Sequence, residues 1–420
     1  MRKLISAMAL VAAPSVVTAQ DIEAEPRLEV VQTSVIGLSE KDADQTSIRI
    51  FPEARISLPG QWNANIGLRV EAIDDDARLG TRDTFAPMSR PVTLGSNARL
   101  EIDEAVITWR EGGSRLTFGK QVFAWGVLDG LQVTDRLDPS RRQESIFIEQ
   151  RPDRISRWGA RAEADGLGLR WDAALIIDGT ADQLAQFGDP FAVTAPRFRG
   201  GLPMNAPLPS LTIDASKQPT FGLRITRPSG ASDLTLLGFH GPETEPLIAL
   251  DSTGARLIYP DRSLLGLNWQ MSSGAQVWRA ELAWVPDQPV NFQDGLLRIE
   301  RRDRVLGGVG LDWTLRGGIF LNAQIGVDHI RGRDLVRPNT DVISTLRLQK
   351  AWINDTLRGS AELITSLGDG DGTFRPSLTW QMSDALRVEA GLDYIWGSNR
   401  GLIGQFDAND RVWLRLRFSA

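Results

Sequence analysis

"VWLRLRF", residues Val412–Phe418, decides how the rest of the chain is read. Val412, Leu414, Leu416 and Phe418 fall on one face of an extended strand, and Arg411, Trp413, Arg415 and Arg417 fall on the other. The same period of two runs through "ALRVEAGLDYIW", where Leu386, Val388, Ala390, Leu392, Tyr394 and Trp396 oppose Arg387, Glu389, Gly391 and Asp393. It returns where Trp62, Ala64, Ile66, Leu68 and Val70 oppose Asn63, Asn65, Arg69 and Glu71, and where Ile319, Leu321, Ala323, Ile325 and Val327 oppose Asn322, Gln324 and Asp328. Strands of a soluble sandwich run to about five or six residues. The alternating runs here are nearer ten, the length that carries a tilted strand across a membrane. In lipid every backbone polar group needs a partner, so such strands must close on themselves. The expected fold is all-β: a transmembrane antiparallel β-barrel.

Tracing the alternation gives strands near 27–37, 46–57, 61–73, 97–110, 114–124, 155–164, 167–177, 219–227, 232–241, 262–271, 275–285, 305–315, 318–330, 342–353, 356–367, 373–382, 385–396 and 409–418. The count is about eighteen, with sixteen the alternative, and bacterial single-chain barrels have even numbers. Loop lengths sort by parity. With both termini periplasmic, the inner turns are short, among them "PGQ", "EGG" and "SSG", and the outer connections include the long segments 126–154 and 178–219. The chain has 13 tryptophans. Trp62, Trp269, Trp278, Trp313, Trp352 and Trp380 fall on apolar faces near periplasmic strand ends, and Trp284 and Trp396 near external ends, as an aromatic girdle requires.

Residues 1–19 read as a signal peptide: Arg2 and Lys3, an apolar run too short to span a bilayer, and Val17-Thr18-Ala19 as cleavage site. Residues 20–420 then form a single barrel domain in the outer membrane of a Gram-negative bacterium. The formal charge of −6 becomes −8 without Arg2 and Lys3, which disfavours nucleic acid. With no cysteine and two histidines, disulfide, thiolate and most metal chemistry are excluded, and no cofactor or metal is expected. His240 and His329 lie in no hydrolase motif, so no catalytic residue is assigned. "LGDGDGTF" (Leu367–Phe374) offers oxygen ligands but not the spacing of a calcium loop, and reads as a tight hairpin.

The polar faces line the lumen. Of 47 basic residues five are lysine and 42 arginine. The candidate selectivity residues are Arg69, Arg99, Arg157, Arg161, Arg170, Arg224, Arg279, Arg387, Arg415 and Arg417, interleaved with Glu71, Glu163, Glu389 and Asp393. One reading is a ladder of ion pairs bracing the wall; the other is a path for anions, because guanidinium presents a fork suited to carboxylate or phosphate. Segment 125–154 carries Asp129, Asp135, Asp138, Arg141, Arg142, Glu144, Glu149, Arg151, Asp153 and Arg154. Its home is either the outer surface or the lumen, where Asp129, Asp135, Asp138, Arg141 and Arg142 would narrow the pore.

Gly119, Lys120, Gln121, Trp125, Gly126, Asp129, Asp135, Asp138 and Pro139 form a Gly-x-Gln…Trp-Gly-x-x-Asp signature. It resembles that of a family of Gram-negative outer-membrane barrels distantly similar to alginate-export porins. The match covers about 25 residues, and the rest agrees as barrel pattern. The resemblance implies an export or uptake channel for hydrophobic or anionic compounds, working beside an inner-membrane efflux-type permease. Other expected partners are outer-membrane lipid and the barrel-insertion machinery, although Phe418 is followed by Ser419 and Ala420 where that machinery reads a terminal aromatic residue. The functional expectation is a channel for passive uptake or export of small anionic or hydrophobic solutes. The alternative is a structural or adhesion barrel acting through its external loops. Oligomeric state and solute are not legible.

Overall fold

The computed structural model describes residues 17–19, 22–39, 44–74, 79, 81–144, 153–186, 189–202, 212–214, 218–251, 254–294 and 296–420. The leader expected over 1–19 falls almost wholly outside them, as do Glu149 and Arg151.

Eighteen strands make the wall: β1 (Ile22–Gly37), β2 (Gln45–Leu58), β3 (Trp62–Ile73), β4 (Ala98–Glu111), β5 (Ser114–Gln121), β6 (Arg157–Gly166), β7 (Leu169–Ile176), β8 (Thr220–Ser229), β9 (Ser232–Pro242), β10 (Asp261–Ser273), β11 (Gln276–Asp294), β12 (Leu296–Leu315), β13 (Ile319–Ile330), β14 (Thr340–Trp352), β15 (Leu357–Ser366), β16 (Asp371–Gln381), β17 (Leu386–Trp396) and β18 (Arg411–Ser419). Each pairs antiparallel with its neighbours in sequence, and β1 pairs with β18 from Glu29↔Ser419 to Gly37↔Arg411, so the barrel is closed. The alternation puts one face of every strand into lipid: Leu234, Leu236, Leu265, Leu267, Leu282 and Leu414 are all exposed on the outside. Periplasmic turns are tight. At Gly60–Gln61 and Leu167–Gly168 both residues have positive φ, the geometry that matches the twist of a two-residue hairpin.

The aromatic girdle includes more residues than the apolar runs indicate. Trp109 sits opposite Trp62, and Trp171 faces outward near the start of β7. Tyr394 and Trp396 stack at 5.9 Å near the external end of β17.

Most strand limits differ from expectation by one to three residues, and β1 begins at Ile22, five residues before the expected 27; three further departures concern β5, the β11–β12 pair and β4. β5 stops at Gln121, because Gly119 (φ +126°) breaks the alternation and the chain leaves the wall. A Cβ at Gly119 would lie 2.0 Å from the Ala105 carbonyl oxygen, so only glycine fits. β11 and β12 continue to Asp294 and from Leu296, past a bulge between Val285 and Gln288, as a hairpin beyond the alternating region. β4 carries an extra residue at Asp103, opposite Gly67/Leu68, which shifts its register against β3.

Leu367–Gly370 is the tight turn between β15 and β16. Its Asp369 pairs with Arg197 (3.1 Å) and accepts from the Leu402 N–H, and Asp371, the first residue of β16, accepts from the Ile403 and Gly404 N–H groups. His240 and His329 bond to Ser263 and Thr340 on neighbouring strands.

Candidate functional site

From Val122 to Glu144 the chain lies against the inner side of the barrel; of segment 125–154, residues 145–152 lie outside the described residues. Phe123, Trp125, Leu128, Leu131, Val133 and Leu137 are buried against Ala174, Ile176, Leu237, Phe239, Leu264, Ala283, Val285 and Leu306, inward-facing residues of β7 and β9–β12. These inward residues form an apolar patch, and the segment covers it. Trp125 is the deepest anchor: its indole N–H donates to Asp172 (3.1 Å), its carbonyl accepts from Asn268 (2.9 Å), and its ring lies where a Cβ on Gly222 would be, 2.6 Å away. Glu281, buried on β11, accepts from the N–H groups of Val127, Leu128 (2.7 Å) and Thr134 (2.8 Å) and from the Thr134 hydroxyl (2.7 Å). One wall carboxylate thus satisfies four donors of a segment without regular structure. Gly126 lies between that carboxylate and Asp135; a Cβ would fall 2.6 Å from the Asp135 Cβ and 3.0 Å from Glu281.

The charged residues of the segment divide by role. Asp135 and Asp138 accept from the backbone N–H groups of Trp125 (3.1 Å) and Phe123 (2.6 Å), folding the segment on itself. Asp138 also lies 3.9 Å from Arg157, and burial pushes its carboxyl up to about 6 against the pull of that guanidinium. Asp129 faces β11 and β13, near Arg279 (3.5 Å), and its carbonyl accepts from Gln324 (2.8 Å). Pro139 accepts from Ile155 at the segment's exit. Arg141 pairs with Glu101 and Asp153, Asp153 with Arg69 (3.0 Å), and Glu144 with Arg411 (2.6 Å) across the lumen. Burial opposes ionisation of Glu144, but Arg411 outweighs it and holds the carboxyl down at about 2. Arg142 bonds to Asp182 (2.9 Å) and Glu245 (2.8 Å), residues of two other external loops, rather than to the barrel wall.

What remains open is a cavity of ≈ 880 Å³ between the segment and the wall formed by β1–β4 and β12–β18. Among the described residues fourteen arginines and ten carboxylates line it. Arg69, Arg99, Arg415, Arg417, Glu71, Asp393, Arg141 and Arg142 are among them. Arg411, Arg415 and Arg417 occupy inward positions of β18 in a column, paired with Asp393 (2.8 Å), Glu389 (3.3 Å) and Glu29 (2.7 Å). A second cavity of ≈ 520 Å³ holds Arg170, Arg224 and Glu163. Arg161 bridges to Asp172 (2.7 Å), Arg279 to Asp312 (2.5 Å), and Arg387 donates to the neutral Gln381 (2.8 Å). Arg157 is fully buried, its guanidinium donating to the Leu137 carbonyl. Most inward arginines are thus ion-paired, and several hold the segment rather than face open lumen.

Among the groups at the cavity that the sequence reading missed, three stand out. Phe191 and Arg197 come from the β7–β8 loop, which folds back over the mouth: Arg411 lies 4.8 Å over the Phe191 ring, and Arg197 bonds to Asp341 and Asp369. Gln405, in the short helix Gly404–Asn409, accepts from the Thr194 and Ala195 N–H groups. Arg304 pairs with Asp328 (2.7 Å) just beyond the limit at which the β12 alternation fades. Only Arg304 had a signal, its inward parity with Leu306.

No family model matches the chain, and no curated protein does. Similar solved structures are Acinetobacter baumannii OccAB1 (9% identity, 96% of this chain and 96% of that chain, TM-score 0.54) and OccAB2 (9%, 94% and 98%, 0.54). Pseudomonas aeruginosa OpdK, solved with vanillate, is also similar (12%, 94% and 98%, TM-score 0.50). These are outer-membrane porins of Gram-negative bacteria, and at such identities the likeness is one of fold.

Proposed function

We propose that the barrel is a passive outer-membrane channel for small anionic solutes, whose path is the ≈ 880 Å³ cavity and whose narrowest part is set by segment 125–154. The observation that carries this reading is the excess of arginine over carboxylate around the cavity, in a chain whose formal net charge is −6. The column Arg411, Arg415 and Arg417 offers a carboxylate or phosphate successive forks, each already paired to an acid that it can share without being left unpaired. Leu131, Val133, Leu306, Ile343 and Ile364 supply an apolar strip in the same cavity, so the organic part of an anion meets a dry surface. OpdK, which has this fold, was solved with a small aromatic carboxylate, and the resemblance of Gly119–Pro139 to alginate-export-like barrels agrees with a transport role.

Liposome swelling with solutes of matched size tests the reading. Anionic solutes should enter several-fold faster than cationic ones, and Arg415→Gln with Arg417→Gln should remove most of that preference. Equal rates for both charges would leave the arginines as braces only. No swelling with correctly folded protein would favour a barrel that acts through its external loops.

A further inference from the structure

We infer that residues 87–94, in the external loop between β3 and β4, complete the barrel wall and face the acyl chains of the membrane. The need arises where the chain enters the lumen. Val122 is on the outside and Phe123 is fully buried inside, so above Gln121 the upper part of β4 loses its neighbour. A strand tilted by about 40° gains about 2.5 Å of height per residue, against an apolar band about 25 Å tall. β5 and β7, with eight residues each, reach about 20 Å on that measure and fall short.

The loop fills this shortfall. Val92 and Thr93 pair with Leu100 and Arg99 of β4, on the edge that β5 has left, and the Leu94 N–H donates to the Ala98 carbonyl (2.8 Å). On the other side the outward-facing Trp158 of β6 donates its indole N–H to the Met88 carbonyl (3.3 Å). Ser89 donates to Asp178, the Ala86 N–H to the Thr180 hydroxyl (3.1 Å), and the Ala181 N–H to the Thr84 carbonyl (2.8 Å). Phe85 and Ala86 are buried beneath, while Met88 (52%) and Val92 (59%) stand exposed. Ile102, Phe118, Val122 and Ile177 are exposed as well. Arg90, between Met88 and Val92, is half-exposed and lies 3.8 Å from Asp83. A loop that supplies ladder hydrogen bonds to a strand edge and carries its apolar side chains outward serves as wall, and the neighbour of wall is lipid.

The chain has no cysteine, so single labels are clean. Met88→Cys and Val92→Cys, each carrying a bimane, would be reconstituted in phosphatidylcholine vesicles with dibrominated acyl chains. Leu234→Cys on the lipid face and Leu167→Cys in a periplasmic turn are the references, with heat-modifiable migration as the check of folding. The ratio of bromolipid to iodide quenching should lie within twofold of that at Leu234. A ratio within twofold of that at Leu167 would overturn the assignment, and so would protection from both quenchers, which would mean that a second copy covers the patch.

Discussion

With its ring against Gly222 and its indole N–H on Asp172, Trp125 is placed as a core residue although it belongs to a connection between strands. Truncating a buried tryptophan costs about 3–5 kcal/mol. In this barrel the cost should fall on the docking of the segment, because the eighteen-strand ladder does not depend on it. Trp125→Ala is expected to leave far-UV circular dichroism unchanged, to raise amide exchange over 123–138 by at least tenfold, and to make single-channel current noisier. Unchanged exchange would show that Glu281 and the other polar contacts suffice. Asp138 gives the same docking a pH dependence. Its carboxyl, at about 6 when the segment is docked, returns to the ordinary value near 4 when undocked, so the docked state binds more protons between those values. Docking is therefore tighter at pH 5 than at pH 7.5, by about tenfold in the opening constant. Amide exchange at the two pH values, corrected for intrinsic rates, measures it, and Asp138→Asn should abolish the difference.

At the scale of elements, the strands were legible because lipid on one side and water on the other impose a strict period of two. All eighteen spans traced from alternation correspond to wall strands, with differences at their ends. The ends were lost where that constraint lapses. The β11–β12 hairpin beyond Val285 passes through "NFQDGLLRIERRDR", which has no consistent apolar face. Gly119 stops β5 through backbone geometry that hydropathy does not encode. The charges of segment 125–154 left its location open, between surface and lumen. Its fixed position comes from apolar residues, Phe123, Leu128, Leu131, Val133 and Leu137, which cover an apolar inner wall that is invisible until the strands are closed. Lys120 and Gln121 of the signature proved equally local: both are buried, and Lys120 donates to the Ile102 carbonyl (2.6 Å) at the β4 bulge. Deleting Asp129–Asp153 should raise single-channel conductance severalfold, because its described residues line the ≈ 880 Å³ cavity. Unchanged conductance would place the narrowest point at the β7–β8 loop, with Phe191 and Arg197.

For the whole molecule, the inner wall is asymmetric. An apolar patch of β7 and β9–β12 is covered by the segment, and the cavity on the side of β1–β4 and β12–β18 is rich in arginine. On the proposed path, anions are attracted by the paired guanidinium groups that line the ≈ 880 Å³ cavity. Screening by salt weakens that attraction, with a Debye length of about 10 Å at 0.1 M, so selectivity should fall as ionic strength rises. The most direct measurement is the reversal potential of single channels in a planar bilayer under a tenfold KCl gradient. Discrete current steps are expected, with a reversal potential of the sign for chloride preference that moves toward zero in Arg415→Gln/Arg417→Gln. Cation preference in the native protein would contradict anion selectivity.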